Sequence, residues 1–517
     1  MPEPAEPAAD PTRSPSAPVR SLLVVAAIFF VYVGALAVTW PSAFLVSDES
    51  LYVNQAALFA DGTAHWNVPD AISTDPLHIT FSDYPPGTSL VQAPFVALGG
   101  WRAAVLASTL ALFATVLVLR RWLQREGRSP WFALLVLAHP TALVMGRVGM
   151  SDAPSMFLAT AALALFWRGL PDGDGVDGDE APAARRWSWP AAGALAGLSL
   201  LFREPNLGVF VPFVVGALVR RDASAWRLLA GVVAGAALRL AVAAAVFGDP
   251  LYVKPPGEYH GIGTQLAALG LLVAALVVFL PGGLVAVAAY RGRRRPEVIA
   301  TVGLVVVFFA VYGYSASESG VVDRLVLIPR YALPLLPLSV FAMAEAVPRL
   351  AVRAGSGMQN GRQGDRNVGQ NQLLARVAVG AVVAVAVVGS LVVAVAVDRR
   401  AGAEAEVART IQRTVPDDAR LVVNPLSLTK HLGPVFGDQP WADRTYLPTT
   451  VLPAMVQRPG PVYIVFLDRG DSAFRDREAA ANQAYLDEAR IWNRLTPVVD
   501  RRIGDGRRLR ILKVELL

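Results

Sequence analysis

An acidic pair lies close behind the first apolar run of the chain. Asp48 and Glu49 come eight residues after that run ends at Trp40, and a helical stretch over residues 50–60 follows them. If the run crosses a bilayer, the two carboxylates lie at the membrane surface. There they can serve as a general base or bind a metal ion. The structural alternative is an acidic pair that stabilises a helix N-terminus.

Three further segments place cations between apolar runs. Arg147 and Asp152 share one short turn, where the alternative to a chemical role is an ion pair between them. Arg203 interrupts two short apolar runs, and Arg330-Tyr331 precedes a proline-rich helix start. Arginine suits a phosphate because its planar fork donates several hydrogen bonds. The arginines of these segments are therefore candidate contacts for a phosphate.

Other segments offer polar groups with less specific patterns. Asp83-Tyr84-Pro85-Pro86-Gly87 opens an apolar helix over residues 88–99, and paired prolines pre-set a first helical turn. The segment 248–264 carries Lys254, Tyr259 and His260 and can border a cavity. Arg239 falls inside the apolar run 228–247, which indicates either a functional site or an acid partner on a neighbouring helix.

The composition excludes several classes of protein. Of 517 residues, 54% are hydrophobic and 17% charged, whereas soluble domains have about 45–50% and about 25%. Cysteine is absent and the five histidines show no His-x-x-x-His spacing, so no thiol chemistry or dedicated zinc site is predicted. The net charge of +6 does not indicate nucleic-acid binding, because basic residues gather in loops that the positive-inside rule makes cytoplasmic.

The charge pattern also predicts topology. No Lys or Arg occurs between Arg20 and Arg102, while six acids do, which places this segment outside the membrane. With the first span at 21–40, further apolar runs lie near 102–119, 131–146, 153–168, 190–202, 206–219, 228–247, 264–290, 298–314, 332–347 and 375–397. About eleven transmembrane helices result, and their odd number leaves the chain end outside.

We therefore expect an α-helical polytopic protein of the plasma membrane with a small C-terminal extracytoplasmic α/β domain. Residues 1–20 form a disordered cytoplasmic tail. Residues 21–400 form the transmembrane domain, with an outer loop at 41–85 and a re-entrant or interfacial helix at 86–99. Residues 401–517 form the soluble domain, because strand-like runs at 421–423, 462–467 and 509–514 flank a helical stretch near 475–495.

Together these motifs resemble the C-type integral membrane glycosyltransferases. The resemblance rests on the acidic pair after the first span, the Tyr-Pro-Pro-Gly segment, the turn from Arg147 to Asp152, and the Arg-Tyr-x-x-Pro-x-x-Pro stretch from Arg330 to Pro337. It is strongest to the lipid A aminoarabinose transferases, the protein mannosyltransferases and the actinobacterial arabinosyl- and mannosyltransferases. Relatives often carry a basic residue or histidine where this chain has Tyr84.

The resemblance implies a site. It makes Asp48 the catalytic carboxylate, with Glu49 beside it and Asp152 as a second acid. A sugar on a polyprenyl phosphate is the donor, and the candidate cations for its phosphate are Arg147, Arg203, Lys254 and Arg330. Side chains expected to line the substrate cavity are Tyr52, His78, Asp83, Tyr84, Tyr259, His260 and Tyr331. No cofactor is required, although a divalent metal at Asp48 and Glu49 is an option.

The predicted function is transfer of a hexose or pentose to an extracytoplasmic glycan, lipid or protein acceptor, with inversion of the anomeric carbon. The alternative is a transporter or lipid flippase with the same acids and Arg239 along its path. The long acidic outer loop and the terminal domain favour transfer, since transport needs neither.

Overall fold

The computed structural model describes residues 17–68, 77–80, 82–170, 182–222, 224–253, 266, 269–270, 273, 283–312, 328–356, 364–424, 441–443, 449–468, 473–503 and 507–517. Its helices are α1 (Ala17–Val38), α2 (Ser47–Ala60), α3 (Gly87–Gly99), α4 (Val105–Arg125), α5 (Leu135–Ala138), α6 (Pro140–Met145), α7 (Asp152–Arg168), α8 (Pro182–Ser199), α9 (Leu207–Val219), α10 (Ala225–Phe247), α11 (Gly283–Ala289), α12 (Arg295–Tyr312), α13 (Leu336–Ser356), α14 (Gly364–Thr414), α15 (Leu452–Val456) and α16 (Ala473–Trp492). Its strands are β1 (Trp66–Val68), β2 (Leu77–Ile79), β3 (Arg420–Val423), β4 (Trp441–Asp443), β5 (Val462–Asp468), β6 (Asn493–Arg502) and β7 (Arg508–Leu516).

The helical part is a multi-pass membrane body. Within the described ranges, five helical segments are long and apolar enough to cross a bilayer: Val19–Val38, Trp101–Arg125, Ala225–Phe247, Arg330–Val347 and Val377–Thr414. This confirms the predicted polytopic α-helical class. The total of eleven crossings stays a prediction.

Two apolar runs fold differently from simple spans. The run at 131–146 is broken into a 3-10 turn and the short helices α5 and α6, because Pro140 lacks an N–H and begins a new helix after His139. Helix α3 has 13 residues, which makes it about 20 Å long, shorter than the hydrocarbon core of about 30 Å. Its length therefore suits the expected interfacial or re-entrant position. Runs 190–202 and 206–219 contribute to two separate helices, α8 and α9.

Helices α8 and α10 pack through facing glycines. A Cβ added at Gly197 would lie 2.8 Å from the Ala236 nitrogen, and one at Gly235 would lie 2.7 Å from the Leu198 nitrogen. Gly193 and Gly231 approach the opposite backbone in the same way. Each helix thus carries a Gly-x-x-x-Gly pair that lets the two backbones touch.

We predict opposite effects for two glycine-to-alanine substitutions. Gly197→Ala forces the α8 and α10 backbones apart and lowers the free energy of unfolding by about 1–3 kcal/mol. The control Gly303→Ala lies in α12, where an added Cβ meets nothing within 4 Å, and the better helix propensity of alanine stabilises by up to about 1 kcal/mol. Thermal unfolding in one detergent measures both. Equal shifts in the same direction would contradict the close approach.

The chain end forms a three-layer α/β unit. Its sheet has the order β4-β3-β5-β7-β6, with β3 parallel to β4 and β5, and with β7 antiparallel to β5 and β6. Alternate strand residues face opposite layers. Leu421 and Val465 pack with residues of α14, whereas Val422 and Ile464 pack with α16.

Helix α14 joins the two parts without a break. It has 51 residues and is about 75 Å long, so it runs past the boundary expected near residue 400. Val407 and Ile411, at its far end, are buried against the sheet. Two ion pairs add to this contact, from Arg507 to Glu404 at 3.0 Å and from Arg501 to Glu406 at 3.2 Å.

Candidate active site

Glu49 is a structural bridge in the first turn of α2. One of its carboxylate oxygens accepts the Leu45 N–H at 2.8 Å and the other accepts the Gly149 N–H at 2.7 Å. The residue is only 4% exposed. A buried carboxylate is stable when hydrogen bonds replace its water. Glu49 therefore fixes the start of α2 against the turn that leads to α7.

Asp48 lies on the more accessible side of that helix start. Its side chain is 24% exposed, and one oxygen lies 3.2 Å from a terminal nitrogen of Arg330. The guanidinium of Arg330 also donates to the Tyr331 hydroxyl at 3.0 Å and lies 3.5 Å from the sulfur of Met150. Asp48, the predicted catalytic carboxylate, is thus in contact with Arg330, one of the arginines predicted to bind the donor phosphate.

Asp152 and Arg203 form a second pair of the same kind. Asp152 is the first residue of α7 and is fully buried, and the Arg203 guanidinium donates to it. The Tyr331 ring joins the two pairs, since the guanidinium carbons of Arg203 and Arg330 lie 4.6 and 4.9 Å from its centroid. Such contacts with an aromatic ring stabilise cations. Two arginines and two carboxylates therefore gather around one tyrosine.

Two more tyrosines cover this group. The rings of Tyr52 and Tyr84 lie 4.9 Å apart, and the Tyr52 hydroxyl is 3.2 Å from the Ser151 hydroxyl. Burial raises the pKa of Tyr52, and burial together with the charge of Asp48 raises the pKa of Tyr84. Both hydroxyls accordingly stay neutral at physiological pH. They can donate hydrogen bonds to a substrate without adding negative charge.

Gly87 explains part of the Tyr-Pro-Pro-Gly motif. Its N–H donates to the Leu201 carbonyl at 2.8 Å, and a Cβ at this position would lie 2.9 Å from the Leu201 carbonyl carbon. The start of α3 is therefore joined to the turn that carries Arg203. The Ser89 hydroxyl donates to the Tyr52 carbonyl at 2.8 Å, which connects α3 to α2 as well.

Arg147 is placed apart from this group. It is 2% exposed, and one terminal nitrogen donates to the Thr39 carbonyl at 3.2 Å and to the Thr39 hydroxyl. The alternative Arg147–Asp152 ion pair does not form, because Asp152 receives Arg203 instead. Burial lowers the pKa of Arg147. In the described chain its contacts are with the end of α1 rather than with Asp48.

Arg239 has the acid partner that the sequence left open. It lies 3.6 Å from Glu204 and also donates to the carbonyls of Pro250, at 2.9 Å, and Tyr252. Burial raises the pKa of Glu204 despite this arginine. Arg239 thus anchors the segment after α10 beside the turn of Arg203. Nothing in the sequence identified Glu204 as its partner, because 35 positions separate the two residues.

The remaining predicted residues lie at the edge of the described region or outside it. Asp83 is exposed. Burial and the charge of Asp83 raise the pKa of Tyr252. His78 lies in β2, paired with Asn67 of β1, and its side chain is not described. Lys254, Tyr259 and His260 lie outside the described residues. Met150 and Ser151 touch the site but carried no signal in the sequence.

A metal ion at Asp48 and Glu49 stays a prediction. Among the described residues, no group of three or more His, Cys, Asp or Glu side chains lies close enough to hold a metal ion. Both oxygens of Glu49 already accept backbone N–H groups.

The architecture is a polytopic helical body followed by an α/β unit. Among solved structures, the chain is similar to ArnT from Cupriavidus metallidurans in the apo state, with 19% identity, a TM-score of 0.61, and coverage of 96% of this chain and 98% of that chain. It is likewise similar to the same protein bound to undecaprenyl phosphate, with 18% identity, a TM-score of 0.63 and the same coverage. No family model and no curated protein matches. The predicted resemblance is thus confirmed at the level of the fold.

We predict that Glu49→Gln destabilises the protein. An amide has one accepting oxygen, so one of the two buried N–H groups of Leu45 and Gly149 then faces an NH2 group. The loss of a charged hydrogen bond at a buried site costs about 1.5–3 kcal/mol. Thermal unfolding measures this cost. An unchanged midpoint would show that the bridge does not hold α2 in place.

Proposed function

We propose that this protein is a membrane glycosyltransferase that moves a sugar from a polyprenyl phosphate to an extracytoplasmic acceptor. The observation that carries the proposal is the group of Asp48–Arg330 and Asp152–Arg203 around Tyr331. The likeness in fold to ArnT supports it, since one ArnT structure is bound to undecaprenyl phosphate. The acceptor class is a cell-wall glycan, a lipid or a protein, and the sugar is a hexose or a pentose.

Asp48 is the general base in this proposal. A sugar or protein hydroxyl is a weak nucleophile until a base withdraws its proton during attack. The Asp48 side chain is 24% exposed and contacts Arg330, whereas both oxygens of Glu49 accept backbone N–H groups. Glu49 therefore holds α2 in place and Asp48 takes the proton. One direct displacement by the activated hydroxyl inverts the anomeric carbon.

Arg203 and Arg330 bind the donor phosphate in this proposal. The leaving group is a lipid phosphate, on which negative charge grows as the glycosidic bond breaks. Cations fixed beforehand in a site with little water stabilise that charge without reorganisation. Arg203 and Arg330 are held by Tyr331 and by one carboxylate each. Asp152 accordingly orients Arg203, and a phosphate between the arginines frees Asp48 for the acceptor.

We predict that Asp48→Asn abolishes transfer while the protein still folds. Asparagine keeps the shape of the side chain and removes the proton acceptor, so turnover of a polyprenyl-phosphate sugar should fall at least about 100-fold. The matched control is Asp61→Asn, which changes an exposed acid just after the same helix. It should retain wild-type turnover and the same thermal midpoint.

Radiolabelled transfer and the anomeric configuration of the product measure the proposed reaction. Undiminished turnover by Asp48→Asn would remove this carboxylate from the mechanism. A retained anomeric configuration would exclude direct displacement.

We also propose that the active site and the C-terminal domain lie outside the plasma membrane, with the N-terminus in the cytoplasm. The acid-only segment before Arg102 and the arginine-rich loops support this orientation. Peptide tags after Leu517 and near Asp70 should then be reachable in intact cells, whereas a tag at Gly361 should not. If the tag after Leu517 is instead protected in intact cells, the proposed extracytoplasmic position of the C-terminal domain is wrong.

A further inference from the structure

The backbone of Arg203 is fixed on both sides of the residue. Its N–H donates to the Ser199 carbonyl at 2.9 Å, and its carbonyl accepts the Asn206 N–H at 3.3 Å. Residues Glu204–Asn206 form a 3-10 turn with Pro205 near its start, and proline restricts the backbone there. The turn therefore sets the separation between Arg203 and Asn206.

The Asn206 side chain uses both ends of its amide. It is 1% exposed. Its oxygen accepts the Ser155 hydroxyl at 2.8 Å, and its nitrogen donates to the Ser199 carbonyl at 3.2 Å. The orientation of the amide follows, because a carbonyl can only accept a hydrogen bond. A carboxylate in this place could not donate to Ser199, and an apolar side chain could make neither contact.

Two contacts side by side join this turn to α7. Asp152 and Ser155 are three residues apart and lie on one face of the helix. Asp152 accepts the Arg203 guanidinium, and Ser155 donates to Asn206. The Ser199 carbonyl accepts both the Asn206 amide and the Arg203 N–H. A shift of the Asn206 side chain is therefore passed to the backbone of Arg203.

Two other contacts hold the same turn from different helices. Gly87 joins it to α3 and Arg239 joins it to α10. The Asn206 amide instead joins the backbone around Arg203 to the helix that carries Asp152. It thus sets the position of Arg203 relative to its carboxylate partner.

The guanidinium of Arg203 depends on this backbone position. It donates to one oxygen of Asp152, and its carbon lies 4.6 Å from the centre of the Tyr331 ring. Because the planar fork binds a phosphate only in a suitable orientation, a displaced backbone weakens that contact. A misplacement of about 1 Å can cost about 100-fold in catalysis.

We propose that Asn206 is a positioning residue for Arg203, which sets where the guanidinium lies and thereby how it holds the donor phosphate. The inference rests on the proposed function, in which Arg203 binds that phosphate. Asn206 is buried and acts through the turn, whereas Arg203 makes the contact with the substrate.

The test variants are Asn206→Ala, which removes both amide contacts, and the milder Ser155→Ala, which removes one of them. The matched control is Thr160→Ala on the same helix. It removes a fully buried hydroxyl that donates to the Met156 carbonyl at 2.7 Å, away from the turn of Arg203. Ser155→Ala keeps the test available if Asn206→Ala does not fold.

The readouts are the dissociation constant of undecaprenyl phosphate, from native mass spectrometry, and the KM and kcat for a polyprenyl-phosphate sugar. Both constants for the lipid, Kd and KM, should rise about tenfold in Asn206→Ala and about threefold in Ser155→Ala. The control should keep both constants. A smaller folded fraction alone lowers kcat and leaves KM unchanged. A fall in kcat with no change in KM or Kd would therefore overturn the proposal.

The same measurements with Arg203→Lys show whether Asn206 acts through Arg203. Lysine keeps a charge beside the buried Asp152 but has no planar fork to orient. Asn206→Ala should then raise Kd and KM little further, whereas a second full tenfold rise would contradict the inference.

The free energy of unfolding of the same four proteins separates this inference from the proposed function. If the wild type neither binds undecaprenyl phosphate nor transfers sugar, the proposed function fails. The unfolding cycle then decides the position of Arg203. Non-additive effects of Asn206→Ala and Arg203→Lys support the positioning, and additive effects overturn it.

Discussion

The two hydrogen bonds of Glu49 hold together the parts that carry the candidate chemistry. One oxygen binds the backbone before α2 and the other binds the turn before α7. Asp48 directly precedes Glu49 in the chain. Asp152 is the first residue of α7, the helix that follows the turn bonded to Glu49. Besides this carboxylate, the hydrogen bond from the Tyr52 hydroxyl to the Ser151 hydroxyl connects the two elements that carry the acids. Glu49, which the sequence placed beside Asp48 in the acidic pair, thus holds the helix start that carries Asp48.

Tyr331 plays a comparable part for the cations. Two guanidinium groups that repel each other are held near one aromatic ring, and each has a carboxylate partner. The arrangement is electrically balanced when no anion is bound. In the proposed reaction, the donor phosphate competes with Asp48 for Arg330, so donor binding and release of the proposed base are coupled. The proposed reaction therefore starts from a site that is stable while it is empty.

The five spanning helices found in the described residues and the main strands could be predicted, because apolar runs and alternation are local patterns. Strand β6 could not, since it carries Pro497 and mostly exposed residues at the sheet edge. The full length of α14 could not be predicted from apolar runs. The apolar run ends at Val397, and the polar residues after it still continue the helix. In the site, Asp48, Arg203 and Arg330 stood out by charge. Their pairing could not be predicted, because 282 positions separate Asp48 from Arg330.

The unbroken helix α14 also has a mechanical consequence. No loop separates its membrane part from the part packed on the sheet, so the α/β domain cannot move independently of the span. From Asp398 to Thr414 the helix extends about 24 Å, and a tilt of about 10° moves its far end by about 4 Å. A thicker or thinner bilayer changes such tilts. Any change in the tilt of this span is therefore carried over to the α/β domain, because the helix continues into it.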